Sequence, residues 1–268
     1  MQKLSIRYRY PIILLKQLVK TDFKLRYQGS ALGYLWSLLR PLLFFLTLNF
    51  VFTQFIKTGA DIPHYSQYLL LGILLWNYFT EVTAGSVTAI VGKGDLLRKI
   101  NFPKYVVILS GSFSAFINLM LNFIVLATFM FFGHVAIGWG ALLLVPLIIE
   151  LFIFSIAVAF FLSALFVRFR DVSYIWEALL QMAFYATPIL YKFQIIPHHI
   201  AKYIILNPIA QIIQDARYVL ITKNTQTIYQ VYGGDKYIWT VPLTITLLTG
   251  VLGGFYFRSR SKYFAEEV

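Results

Sequence analysis

Residues 32–52 read LGYLWSLLRPLLFFLTLNFVF. A stretch of this length, about 20 residues and nearly all apolar, is what a helix needs to cross a bilayer. Two residues inside it do not suit lipid. Arg40 is a permanent cation, costly in hydrocarbon unless paired or watered. Pro41 removes a backbone donor and disturbs the hydrogen-bond ladder. A helix that carries both does not face lipid alone; it borders a polar path or a polar neighbour.

The remaining sequence extends this reading. The chain has 268 residues, of which 59% are hydrophobic and 13% charged, with a mean hydropathy of +0.72. A soluble domain would carry about a quarter charged residues. Apolar runs recur along the whole length, so the expectation is an all-α polytopic membrane protein forming one transmembrane domain over residues 1–268. The net charge of +12 fits the excess of cytoplasmic Lys and Arg in such proteins, with attraction to anionic lipid, better than nucleic-acid binding. There are no cysteines, which excludes disulfides, thiolate metal sites and thiol catalysis. The basic N-terminal segment lacks the pattern of a cleavable signal. Aromatics make up 18% of the chain, more than interfacial belts require, and the surplus calls for another use.

Six spans are expected, at about 31–56, 68–91, 105–132, 140–167, 173–191 and 237–257. Basic residues set their orientation. Lys3, Arg7, Arg9, Lys16, Lys20, Lys24 and Arg26 precede the first span. Lys93, Arg98, Lys99 and Lys104 lie between the second and third, Arg168 and Arg170 between the fourth and fifth, and Arg258, Arg260 and Lys262 after the sixth. All fall on one side, so both termini are expected in the cytoplasm. Residues 200–221 resemble a seventh span, but Lys202, Asp215 and Arg217 make it costly and Asn207-Pro208 interrupts it. Two short helices that dip into the outer leaflet and return fit better.

Two further segments are helical without spanning. In residues 11–27, Lys16, Lys20 and Lys24 recur every fourth residue beside a stripe of Ile12, Leu15, Val19 and Phe23. Pro11 suits a first helical turn. This is the pattern of an amphipathic helix lying among inner-leaflet headgroups. In residues 92–104, Gly92 and Gly94 end the second span. Asp95 is placed to cap a short helix through Leu96, Leu97, Arg98, Lys99 and Ile100, and Pro103 stops it. Leucine beside positive charge suits docking in a partner's groove.

Charge inside the spans is the informative anomaly. Arg40 and Glu81 lie at matching depths, roughly 14 Å from the cytoplasmic side at about 1.5 Å per residue, which suggests an ion pair. Trp36, Arg40, Phe44 and Thr47 share one face of the first span. Glu177, Gln181 and Tyr185 recur every fourth residue in the fifth, ending at Pro188. Rings that stack on sugar faces, with polar groups for hydroxyls, would suit a carbohydrate path; ordinary helix packing uses the same residue types. Glu150 in the fourth span has no evident partner.

Enzyme signatures are missing. VGKGD, residues 91–95, carries a Gly-Lys pair without the rest of a phosphate loop. His198 and His199 are adjacent, which is poor spacing for one metal. No pair of nearby aspartates stands ready for a divalent ion, and no Gly-x-Ser-x-Gly occurs. An ion-coupled secondary transporter would normally show internal repeats, and none is visible. A polyprenyl-sugar enzyme would need acidic motifs that are absent.

The landmarks follow one order: the basic N-terminal helix, LGYLWSLLRPL (32–42), RKINFPK (98–104), RFRDV (168–172), FYATPILY (184–191) and LNPIAQIIQ (206–214). Together they resemble the membrane subunit of a type-2 ABC exporter, most of all the branch that exports lipid-linked polysaccharides such as O-antigen, capsule and wall teichoic acid. Gly33, Trp36, Pro41 and Leu42 match the first-span pattern of that family, from which Arg40 departs. Phe169, Arg170 and Asp171 match its Phe-Arg-Asp, and Thr187, Pro188, Ile189 and Tyr191 its Thr-Pro-Ile-x-Tyr. The resemblance implies a homodimer in the bacterial cytoplasmic membrane above two copies of a separate ATPase. That partner would bind ATP and magnesium, and this chain would hold no cofactor. It further implies a coupling helix at 94–102 (Asp95, Leu96, Leu97, Arg98, Lys99), an interface helix at 11–27 and re-entrant gate helices at 195–221. Trp36, Arg40, Phe44, Glu81, Glu177, Gln181 and Tyr185 would line a channel for an undecaprenyl-linked glycan.

Overall fold

The computed structural model describes residues 2–26, 30, 32–55, 57, 62–99 and 102–264. Every regular element among them is helical. In chain order these are α1 (Gln2–Arg26), α2 (Trp36–Phe50), α3 (Tyr65–Val87), α4 (Ala89–Gly92), α5 (Gly94–Lys99), α6 (Tyr105–Phe132), α7 (Leu144–Arg168), α8 (Val172–Ala186), α9 (His198–Ile204), α10 (Pro208–Leu220), α11 (Ile228–Val231) and α12 (Thr240–Arg260). Four helical stretches are long and apolar enough to cross a membrane: Trp36–Phe55, Tyr105–Phe132, Trp139–Arg168 and Thr240–Arg260. The first joins α2 to a π-helical turn at Val51–Phe55, and the third adds a 3-10 turn at Trp139–Leu143.

The helix at the centre is α3, which is not among those four. Its sequence mixes leucines with Gln67, Asn77, Thr80, Glu81 and Thr83, and it packs against α7, α6, α10, α2 and α8. Protein rather than lipid surrounds it, so polar side chains there find partners. Gln67 Nε2 donates to the Phe129 carbonyl and Trp176 Nε1 to Thr83 Oγ1. The tightest helix pair is α7 with α12. A Cβ at Gly253 would lie 2.5 Å from the Ala157 carbonyl oxygen, so small residues set that contact, as they do wherever lipid supplies no hydrophobic drive.

Much of the aromatic surplus is spent on packing. Phe79 stacks on Phe154 with centroids 5.8 Å apart and meets Trp76 and Trp176. Phe45 meets Phe129 edge-on, and Phe257 meets Phe160 and Phe264.

Several expected boundaries shift. α1 begins at Gln2 and runs through Pro11, which therefore does not occupy a first turn. A proline forfeits one i→i−4 bond, and the flanking turns carry the helix across it. Leu14, Leu15 and Leu18 pack on the bundle, Lys16, Lys20 and Lys24 are exposed, and Ile12 of the expected apolar stripe is exposed as well. The fifth segment ends as a helix at Ala186, short of Pro188, because a residue preceding proline is driven out of the α region; Thr187 has ψ 133°. Its 15 residues reach only about 22 Å at 1.5 Å per residue. α5 covers Gly94–Lys99, Phe102 and Pro103 are not helical, and residues 100–101 and the Leu97 side chain lie outside the described residues. Asp95 sits inside the first turn of α5 rather than capping it, where its charge still favours the positive helix end.

Residues 192–239 fold over one end of the bundle. The break at Asn207-Pro208 is where the sequence puts it: the Asn207 side chain accepts from the Ile209 amide and caps α10. Phe193, Ala201, Ile205, Ile228, Val231 and Ile238 form a second small core there.

Candidate functional site

Two adjoining cavities lie along α2 beside α3. One, of about 690 Å³, opens between α2, α3 and α8 and is lined by Arg40, Phe44, Glu177, Gln181 and Tyr185. The other, of about 970 Å³, lies between α2, α3 and α6, with Trp36, Arg40, Phe44 and Glu81 on its walls. All seven residues singled out from the sequence as channel-lining thus border one continuous set of walls. Arg40, Phe44, Asn77, Thr80 and Ala84 belong to both cavities.

Helical spacing brings this about. Trp36, Arg40 and Phe44 repeat every four residues along the face of α2 that looks toward α3, and all three are exposed. Glu177, Gln181 and Tyr185 do the same on α8, opposite. The Phe44 ring touches Phe184 of α8 at 6.0 Å between centroids, closing the gap between the two helices. Pro41 falls on α2 between the two cavities' shared residues, where its missing amide leaves the helix continuous.

Arg40 and Glu81 face the same cavity, as their matched depths suggest. Glu81 Oε1 also accepts a 2.9 Å bond from Asn118 Nδ2. That asparagine went unnoticed in the sequence, as did Asn122, which donates to the Ser37 and Asn118 carbonyls. Asn118 and Asn122 stand four residues apart in an otherwise oily helix, and Asn77, Thr80 and Ala84 repeat on α3. That periodicity was the available signal. The resulting surface carries one cation, two carboxylates, amides and seven aromatic rings. Such a set can bond hydroxyl groups, stack on the apolar faces of sugar rings and hold a phosphate.

A search of protein families matches residues 13–221 to the family described as ABC-2 type transporter. The chain belongs to the ABC-2 type transporter family. Curated relatives carry the name O-antigen export system permease protein RfbA. One from Klebsiella pneumoniae is 31% identical over 216 residues, covering 79% of this chain and 81% of its own. One from Myxococcus xanthus is 31% identical over 211 residues, covering 76% and 78%. A second from Klebsiella pneumoniae is 29% identical over 212 residues, covering 79% and 81%. The ABC-2 chain is thus a transport protein of the membrane, in accord with the resemblance and with the expectation of a permease rather than an enzyme.

The other charged residues of the ABC-2 chain lie elsewhere. Asp95, Arg98 and Lys99 are exposed on α5, whereas Leu96 turns half-buried onto the core and is less free to dock than the sequence suggests. Lys93, just before α5, bonds both oxygens of Asp22 on α1 at 3.0 and 3.1 Å, and Ser110 donates to the same carboxylate. Glu150 is buried on α7, which packs against α10, the helix that carries the buried Asp215; span depth alone does not reveal that neighbour.

Proposed function

We propose that this chain is the membrane subunit of an ATP-driven exporter that carries an undecaprenyl-linked polysaccharide of the O-antigen, capsule or teichoic acid class across the bacterial cytoplasmic membrane. Two copies form the channel, each with six spans, both termini in the cytoplasm and α9–α10 as re-entrant gate helices. Two copies of a separate ATPase, which bind ATP and magnesium, dock on α5 from below. α1 lies among inner-leaflet headgroups.

The observation that carries this reading is the pair of cavities along α2. They join rings, amides and Arg40 in a chain whose relatives are named as O-antigen export permeases. Trp36, Phe44 and Tyr185 would stack on sugar rings, Glu177, Gln181 and Glu81 would exchange hydrogen bonds with hydroxyls, and Arg40 would attract the pyrophosphate of the carrier. The shared walls fit a substrate that slides, since contacts repeat every helical turn.

The test is purification of the chain from native membranes in mild detergent with its co-purifying proteins. A stoichiometric ATPase should accompany it and hydrolyse ATP. Reversing Arg98 and Lys99 to glutamate should release that ATPase while the permease stays monodisperse. A chain that emerges alone, with no ATP hydrolysis, overturns the proposal.

A further inference from the structure

A third cavity lies away from α2 and α8 and shares no lining residue with the two described. It encloses about 640 Å³ between the start of α6, α7 and the end of α12. Its wall is apolar, with Phe102 and Phe257 buried behind it and Phe160 beside them. Its rim is basic: Lys104 immediately precedes α6, and Arg258 stands in the last turn of α12. Among the described residues, neither cation has a carboxylate within ion-pair distance. The amino end of the long helix α6 adds partial positive charge at the same place.

One glycine shapes the hollow. A Cβ at Gly254 would meet nothing within 4 Å, so the missing side chain leaves open space. Leu247, Val251, Gly254 and Arg258 follow one another at four-, three- and four-residue steps along a single face of α12. Leu247 and Val251 are 61% and 68% exposed. The face therefore presents, in order, an oily track, a notch and a cation.

A free anion needs no apolar hollow, and a plain hydrocarbon needs no cations. We infer that this cavity binds one anionic phospholipid of the leaflet that meets the ends of α6 and α12. Its phosphate lies between Lys104 and Arg258, and one acyl chain runs past Gly254 along Val251 and Leu247. The inference requires only that the chain spans a membrane. The nature of the exported substrate does not enter it, so loss of the export proposal leaves it standing.

Native mass spectrometry of the full chain tests it, with phosphatidylglycerol titrated against phosphatidylcholine of the same acyl composition. A single saturable phosphatidylglycerol adduct is expected, with phosphatidylcholine much weaker. A juxtamembrane cation near anionic lipid contributes about fivefold in affinity, so Lys104→Gln and Arg258→Gln should each weaken the adduct about fivefold and the double variant about twenty-five-fold. Gly254→Leu keeps both cations and fills the notch; it should abolish the adduct while leaving the thermal midpoint unchanged. Millimolar inorganic phosphate should not displace the lipid. Equal binding of both lipids, or wild-type binding by Gly254→Leu and the double variant, overturns the site. Displacement by phosphate that is indifferent to Gly254→Leu makes it a simple anion site and overturns the lipid assignment.

Discussion

Among the described residues, Arg217 is the largest side chain that is fully buried. It is wholly buried, and its charge is met by oxygens of the backbone rather than by a carboxylate. Its guanidinium donates to the carbonyls of Tyr68, Pro188 and Ile189 at 3.0, 2.6 and 2.7 Å, and lies 3.5 Å from the centre of the Tyr68 ring. Gln214 and Tyr65 bond the Pro188 and Leu190 carbonyls beside it. The turn after α8, residues 187–191, is thus held by side chains. Stripping one buried hydrogen-bond partner costs about 1–3 kcal/mol, so Arg217→Met should lower stability by at least about 2 kcal/mol. Arg217→Lys should restore only part, since an ammonium cannot span the three carbonyls. Gly72 makes room for this group: a Cβ there would lie 2.4 Å from Arg217 Nη2. Gly72→Ala should cost about 1–3 kcal/mol by overpacking. Thermal unfolding followed by helical circular dichroism reads all three. At Arg40 the expectation concerns transport. Arg40→Lys should keep more export than Arg40→Gln, because a charge remains for phosphate. The losses in Arg40→Ala and Glu81→Ala should fall short of additive in the double variant if the two side chains act as a unit; purely additive losses would refute the pair.

At the scale of elements, the informative joint is between α1 and α5. Asp22 and Lys93 are each about a quarter exposed (26% and 25%), and exposed ion pairs contribute at most about 1 kcal/mol. Lys93→Ala should therefore leave the unfolding midpoint nearly unchanged. On the proposed docking of an ATPase at α5, it should nonetheless reduce export per ATP hydrolysed, because this bond ties α1 to the residue leading into α5. Asp22→Lys combined with Lys93→Asp should restore coupling. Failure of the exchange to rescue would mean that the pair only fastens α1. The Asn207 cap on α10 is a simpler case: Asn207→Ala should cost about 1 kcal/mol, the usual value of such a cap.

At the scale of the whole molecule, α2 and α8 each leave a broad apolar surface uncovered. Tyr174, Ile175, Leu179, Met182 and Tyr185 on α8, and Leu43, Phe44 and Leu46 on α2, are all exposed, and Phe44 and Tyr185 among them line the cavities. A second copy placed against this side would enclose those cavities as one passage. The absence of cysteine makes the test clean. Met182→Cys should be joined into a dimer by a bismaleimide in native membranes, and Leu247→Cys on the far helix α12 should not. The reverse pattern would move the dimer interface to α12.

The sequence by itself determined the helical class, the positions of the long apolar helices, the break at Asn207-Pro208 and the faces of α2 and α8. Each follows from local chemistry: the run of apolar residues, the φ restriction of proline, and side chains repeating every helical turn. Arg40 and Pro41, the two residues that set α2 apart in the sequence, lie on the wall of the cavities beside it. Tertiary structure decided what periodicity does not encode. It turned Leu96 onto the core, brought Asp215 to Glu150, gave Glu81 an asparagine from α6 and spent much of the aromatic surplus on packing. It also set Arg217 among carbonyls from residues 29, 28 and 149 positions away. The reason is physical. A residue's depth and face are properties of its own helix, whereas its partner depends on which helices lie beside it, and contacts such as that of Gly253 with Ala157 fix those neighbours only once the bundle is assembled.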